Sequence, residues 1–119
     1  MAEAAFQKML EEIQAKSSEY NRQLVQVRTQ IQLKERERKV SEIQIRELEA
    51  AGTKTNTFVS VGKMFLQMPQ PTIVNQLQLK VASLADDVAV LTKKQAYLVK
   101  SVADCQSALN EAIKQMQSA

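Results

Sequence analysis

The chain has 119 residues, of which 24% are charged, and a formal net charge of +3. It contains two glycines, two prolines, five aromatic residues and one cysteine, Cys105. This composition is unusual for a compact globule and typical of long helices or coiled coils, while the length suits one domain. A single cysteine excludes a disulfide bond within the chain, which fits a reducing compartment.

The positive charge is spread along the chain. Residues 1–51 carry nine basic and nine acidic side chains, and residues 72–119 carry five and four. In the most charged run, 34–39, glutamates alternate with the basic residues. Nucleic-acid-binding proteins concentrate basic residues on one face or stripe, so we expect no nucleic-acid partner.

The apolar residues of the chain indicate no membrane partner, because no apolar run approaches the roughly 20 residues that span a bilayer. The first 16 residues hold three glutamates and lack the apolar run of a signal peptide. We therefore expect a soluble cytosolic protein, with the nucleus as a second location where a partner carries it there.

The first predicted helix covers about residues 2–51, with Gly52 as its stop. Its apolar residues follow a heptad pattern over about six heptads, which is a strong coiled-coil signal. The a positions are Leu10, Ser17, Leu24, Ile31, Arg38 and Ile45, and the d positions are Phe6, Ile13, Tyr20, Val27, Lys34, Ser41 and Leu48.

The second predicted helix covers about residues 71–117, and Pro71 suits its first turn. Its heptad pattern is cleaner than that of the first helix. The a positions are Val74, Val81, Val88, Gln95, Val102, Leu109 and Met116, and the d positions are Leu77, Leu84, Leu91, Leu98, Cys105 and Ala112.

Residues 53–69 interrupt the helical pattern and predict a β-hairpin. Two runs rich in β-branched, aromatic and long apolar residues flank Gly62-Lys63, which fits a two-residue type II′ turn. This turn would pair Val61 with Met64, Val59 with Leu66 and Thr57 with Met68 on one face of the hairpin. Phe58 with Gln67, and Ser60 with Phe65, would lie on the other face, and a bulge would shift the pairing by one residue.

The hairpin joins two helices of nearly equal length, so the chain should fold back on itself. Folding back matches a positions of one helix with d positions of the other, for example Leu24 with Leu98 and Ile13 with Leu109. The predicted fold is mainly α: a single domain, residues 1–119, in which a β-hairpin joins two long helices into an antiparallel coiled coil.

The predicted hairpin should have partners outside the chain. An isolated two-stranded hairpin is marginal in water, and its unpaired edges invite pairing with another chain. No further strand is predicted that could cover it, so we expect it to join a sheet or barrel built from several chains. The alternative is a tight loop that only caps the coiled coil.

The hairpin and its flanking helices together resemble the beta-type subunits of prefoldin. The specific part of the resemblance is the run Phe58-Val59-Ser60-Val61-Gly62-Lys63-Met64-Phe65, while the layout of two long helices extends it over essentially the whole chain. Two departures are Phe58, where the family commonly has tyrosine, and the proline-rich stretch 68–71.

The resemblance implies a subunit of a hetero-hexameric co-chaperone. Hairpins of its alpha-type and beta-type subunits join into a double β-barrel, and the free ends of the coiled coils hold unfolded proteins, chiefly actin and tubulin. These client proteins pass to the cytosolic chaperonin without use of ATP. Other prefoldin subunits, unfolded clients and the chaperonin are therefore the expected partners, and no cofactor is expected.

Two groups of residues are candidates for these contacts. Those of the oligomerisation hairpin are Phe58, Val59, Val61, Gly62, Met64, Phe65, Leu66 and Met68. Those of the client-binding helix ends are Phe6, Met9, Leu10, Ile13, Leu109, Ile113 and Met116. Apolar residues beside the a and d positions widen the apolar stripe, and methionine adapts to varied partners. The alternative for the helix ends is an ordinary coiled-coil end with slightly wide packing.

Catalysis has no candidate residues in this sequence. The chain lacks histidine and has one cysteine, and we find no glycine-rich phosphate-binding loop. We therefore predict that the protein is not an enzyme. A second hypothesis is a structural tether that dimerises in parallel, since Val at a with Leu at d favours parallel two-stranded coils. It would leave the apolar hairpin unexplained.

Overall fold

A computed structural model describes residues 2–118. The elements are α1 (Ala2–Ala51), β1 (Thr57–Val61), β2 (Met64–Met68) and α2 (Gln70–Ser118), in that order. The predicted fold class, two long helices joined by a two-stranded antiparallel hairpin, is confirmed. Within these residues, no helix combines the length and apolarity needed to cross a membrane.

The hairpin has the pairing that the sequence predicts. Its five pairs run from Thr57 with Met68 at the open end to Val61 with Met64 beside the turn, without a bulge. Gly62 has a φ of 62°, whereas Lys63 does not have a positive φ. A positive φ at the first central residue alone is the signature of a type II′ turn, as predicted.

The chain divides into two compact units. The first combines the N-terminal segment through Gln30 with the C-terminal segment from Leu91, and the second is the segment Ile31–Val90. The first unit has a core of apolar residues from both helices, among which Leu98 is 1% exposed and Val27 2%. The second unit buries Ile73 and Leu84 of α2 together with Ser41 of α1.

The helices bury almost all of the predicted a and d positions, together with Ile73, which occupies neither. Every predicted a and d residue of α1 and α2 is buried or half-buried, except Met116, which is exposed. In the first unit, Ile13 and Ser17 line the same groove as Cys105 and Leu109, in agreement with the predicted antiparallel pairing. The a and d side chains therefore form the contact between α1 and α2 inside each unit.

Charged side chains interrupt this contact in the second unit. Lys34, at a d position, reaches across to Asp87 of α2 at 3.1 Å, and Arg38, at an a position, pairs with Glu35 of its own helix. The Nε atom of Arg38 is buried without a hydrogen-bond partner. Long aliphatic stems that carry a charge outward let such residues occupy the contact, at some cost in stability.

The end of α1 is closed by three local contacts. Gly52 has a φ of 81° and donates its N–H to the carbonyl of Glu49 at 3.3 Å, while the Thr55 hydroxyl donates to the carbonyl of Ala51 at 2.7 Å. The buried amide of Gln70 donates to the carbonyl of Leu48 at 2.9 Å. These bonds satisfy carbonyl groups that the end of a helix leaves without partners, and Gln70 ties the start of α2 to the end of α1.

We expect Leu98→Ala to lower the free energy of unfolding by about 2–5 kcal/mol, because a fully buried leucine leaves a cavity when it is truncated. The matched control is Leu79→Ala on the same helix, whose side chain is 65% exposed and whose truncation should change stability by less than about 0.5 kcal/mol. Urea unfolding of the full chain, followed by circular dichroism, measures both. Equal effects of the two substitutions would contradict the assigned core.

Candidate interaction sites

The hairpin exposes most of its apolar side chains. Phe58, Val61, Met64, Phe65 and Leu66 have exposed fractions between 56% and 75%, the largest at Met64 and Phe65. Scattered single apolar residues on a surface are normal, whereas these five lie within two paired five-residue strands, three on one face of the hairpin and two on the other. Exposed apolar surface of this extent makes the hairpin a candidate interaction surface.

Only the open end of the hairpin is covered by its own chain. Thr57 is 8% exposed and its hydroxyl donates to the carbonyl of Met68, which is half-buried. Toward the turn, the side chains on both faces are exposed. The sheet in residues 2–118 has only two strands, so each strand also has one edge free for pairing. The hairpin thus offers both apolar faces and strand edges to a partner.

A groove of about 410 Å³ lies where the hairpin meets the helices of the second unit. Phe58 and Val59 of β1, Leu48 of α1, and Ile73 and Leu77 of α2 contribute its apolar lining. Because Phe58 lines the groove while 56% of its side chain stays exposed, a neighbouring molecule can still bury much of this ring. The apolar surface of β1 at Phe58 and Val59 therefore continues onto the helices.

The predicted client-binding residues all lie in the first unit, near the ends of α1 and α2. Ile13 and Leu109 line one groove together, and Phe6 and Leu10 are half-buried. Met9, Ile113 and Met116 are 40%, 41% and 52% exposed. Met116 is the one predicted heptad residue that the helices leave exposed. Apolar side chains beside the helix contact therefore remain available for binding, although their role in client binding stays a prediction.

Ion pairing in the first unit holds one carboxylate firmly in its charged form. A hydrogen bond from Arg22, which has the larger effect, and one from Gln23 lower the pKa of Glu19 to about 2, against an ordinary value of 4.5. Glu19 therefore stays ionised at neutral pH and is occupied by partners on its own helix. Among residues 2–118, no three or more His, Cys, Asp or Glu side chains gather as a metal site would require.

The chain is similar to known proteins along most of its length. The family model described as prefoldin subunit matches residues 11–116. A Schizosaccharomyces pombe protein named probable prefoldin subunit 1 is 36% identical over 91 residues, which cover 76% of this chain and 81% of that protein. Prefoldin subunit 1 of Arabidopsis thaliana is 32% identical over 115 residues, which cover 97% and 90% of the two chains.

A solved structure has the same fold. The crystal structure of the prefoldin beta subunit from Thermococcus strain KS-1 superposes with a TM-score of 0.81, covering 87% of this chain and 91% of that one at 17% identity. The fold defines a class of proteins in which an exposed two-stranded hairpin joins two long helices. The chain belongs to the prefoldin family, whose members are non-enzymatic co-chaperones.

Family membership implies that the chain assembles with other prefoldin subunits. Three curated relatives are named prefoldin subunit 1 or probable prefoldin subunit 1, in agreement with the resemblance of the hairpin run to the prefoldin beta type. The alternative of a parallel homodimer requires the a and d side chains of α2 to face a second copy. In the structure, Leu84 and Leu98 are already buried within the chain, so that contact is not free.

Some contacts at these sites are not evident from the sequence pattern. The capping amide of Gln70 lies in a proline-rich stretch that gives no helical or strand periodicity, and its bond to Leu48 spans 22 residues. The two tyrosines, Tyr20 and Tyr97, line one groove although only Tyr20 occupies a heptad contact position. An aromatic residue outside the contact positions of a helix is the signal that points to Tyr97.

We expect Gly62→Ala to destabilise the hairpin by about 1–2 kcal/mol, because a positive φ strains any residue with a Cβ. A Cβ at this position meets no atom within 4 Å, so the effect would come from the backbone alone. The control is Lys63→Ala at the other turn position, which should be nearly neutral. Hydrogen exchange of the strand amides measures both, and equal exchange rates in the two variants would contradict the type II′ turn.

Proposed function

We propose that this chain is a subunit of a hetero-hexameric prefoldin that holds unfolded proteins without ATP and transfers them to the cytosolic chaperonin. The observation that carries the proposal is the exposed apolar hairpin, in a chain that belongs to this family. The two free strand edges and two apolar faces suit incorporation into a β-barrel formed by the hairpins of several subunits. Burial of one large apolar side chain contributes about 1.5–3 kcal/mol, so five of them give an assembly substantial stability.

The helix ends supply a second, weaker kind of contact in this proposal. Met9 and Ile113 flank the heptad contact and Met116 lies at its end, and all three are exposed. Flexible, polarisable methionines adapt to partners of different shape, as a promiscuous grip on unfolded chains requires. The clients in this proposal include unfolded actin and tubulin, and the site of action is the cytosol, with the nucleus as a second location.

Native mass spectrometry tests the assembly. The chain is measured alone and then mixed with alpha-type and other beta-type prefoldin subunits. We expect a hexamer that contains this chain in the mixture only. A stable homodimer that does not bind the other subunits would refute the proposal, because the exposed hairpin would then form contacts only between identical chains.

We expect Phe65→Asp to abolish this hexamer while the helical content of the free chain is kept. The substitution places a charge at a side chain that is 74% exposed in the free chain and would be buried in the assembly. Val90→Asp is the control, since Val90 is 67% exposed and lies on α2, away from the hairpin. Native mass spectra of mixtures containing each variant give the comparison, and a hexamer containing the Phe65→Asp chain would remove the hairpin from the interface.

We expect combined replacement of Met9, Ile113 and Met116 by serine to weaken client holding by the hexamer without loss of assembly. The measurement is light scattering of chemically unfolded actin diluted into buffer with the reconstituted hexamer. The control is a hexamer in which Val25, Leu79 and Val90 are replaced by serine, because these side chains are exposed and lie outside the helix-end site. If both hexamers suppress aggregation equally well, the assigned helix-end site is wrong.

A further inference from the structure

Both tyrosines of the chain line one groove on the first unit. This tyrosine groove has a volume of about 450 Å³ and is lined by Ile13, Lys16 and Tyr20 of α1 and by Tyr97, Lys100 and Cys105 of α2, among others. Ile13 belongs both to this lining and to the predicted helix-end site. The groove therefore combines side chains that are far apart in sequence.

Tyr97 is not needed to hold the two helices together. It lies outside the a and d positions and is 63% exposed, whereas Leu98 beside it is 1% exposed and supplies the helix contact. Tyr20 occupies a d position and is half-buried. Tyrosine offers a large, stiff apolar ring with a polar hydroxyl, and it orders at low entropic cost on binding. Two such rings in one groove favour a ligand with an apolar or aromatic side chain.

The charged groups of the groove favour acidic ligands. Lys16 and Lys100 lie on opposite helices, and neither has an ion pair or a hydrogen bond in the described part of the chain. Asp104 is the one acidic residue of the lining, so the lining carries a net positive charge. Glu19, three residues from Lys16, accepts hydrogen bonds from Arg22 and Gln23 instead. Two unpaired ammonium groups beside two aromatic rings can each meet a carboxylate that flanks a bound apolar side chain.

We propose that the tyrosine groove binds extended segments of unfolded proteins in which an aromatic or aliphatic side chain is flanked by Asp or Glu. The inference rests on the proposed function and deepens it, because it names the class of client segment that this subunit prefers. The apolar side chain lies between Tyr20 and Tyr97, and the flanking carboxylates pair with Lys16 and Lys100. Binding therefore weakens as salt concentration rises.

Fluorescence anisotropy of the full chain, without other subunits, tests the preference. The probes are three labelled peptides of equal length with a central Phe and alternating Leu residues, whose intervening residues are Asp, Ser or Lys. We expect the Asp peptide to bind about tenfold more tightly than the Ser peptide and the Lys peptide to bind weakest. Equal affinities for all three would overturn the assigned ligand class, and tightest binding of a single-stranded oligonucleotide would assign the groove to nucleic acid instead.

Charge reversal locates the binding. The double variant Lys16→Glu/Lys100→Glu should bind the Asp peptide at least about tenfold more weakly and the Lys peptide more tightly. The control Lys8→Glu/Lys93→Glu makes the same change in net charge at exposed residues of the same unit that do not line the groove. If both double variants lose affinity equally, the effect is one of net charge and the groove is not the site.

Cys105 provides a readout that is independent of affinity. It is the single thiol of the chain and lines the groove. We expect the Asp peptide to slow its reaction with a maleimide by about the occupied fraction, and Tyr97→Ser to abolish this protection while circular dichroism is unchanged. Unchanged thiol reactivity in the presence of saturating Asp peptide would overturn the inference.

The inference and the proposed function can fail separately. Selective binding of the Asp peptide at the groove, by a chain that never enters a hexamer, would support the inference and refute the proposed function. The opposite result combines two observations: the Lys16→Glu/Lys100→Glu chain binds the Asp peptide normally, and a hexamer containing it holds unfolded actin as well as the unchanged hexamer does. That result would support the proposed function and refute the groove as a binding site.

Discussion

The contact between α1 and α2 is the constraint on which the rest of this protein depends. Two helices that pack against each other bury only the stripe that each turns toward the other, and here that stripe consists mainly of the predicted a and d residues. Leu98 of α2 and Val27 of α1 are almost fully buried. Val90 and Leu79, which lie on α2 outside the stripe, are about two-thirds exposed. Residues 2–118 form no further helix or strand that could cover the remaining apolar surface.

Because no further element of residues 2–118 covers this apolar surface, the hairpin and the helix ends both keep exposed apolar side chains. The hairpin is buried only at its open end, where Thr57 packs and bonds to Met68, and toward the turn Phe65 and Met64 are about three-quarters exposed. Its strand edges and faces suit a permanent partner, because backbone pairing and apolar burial act together there. The helix ends offer no strand edge. Exposed Met9 and Met116 suit transient contacts with chains of varied sequence.

Polar and charged side chains have different roles in the two units. Gln70 links the start of α2 to the end of α1 and so fixes how the hairpin leaves the helices. Lys34 and Arg38 weaken the apolar contact of the second unit, yet each finds a carboxylate, Asp87 or Glu35. In the first unit, Lys16 and Lys100 have no carboxylate partner within residues 2–118, and they line the same groove as the exposed Tyr97. The same kind of side chain thus completes the fold in one unit and offers a binding group in the other.

The sequence by itself determined the helices, the heptad positions that they bury, and the hairpin with its Gly62 turn. These features depend on local periodicity and on backbone conformations that few residues can adopt, both of which can be read from neighbouring residues. The tertiary structure alone decided that Met116 is exposed although it occupies an a position, that Gln70 reaches Leu48, and that Tyr20 and Tyr97 share a groove. Periodicity specifies which side of a helix faces its partner. It does not specify which side chains the partner places opposite, because that depends on how distant segments pack in three dimensions.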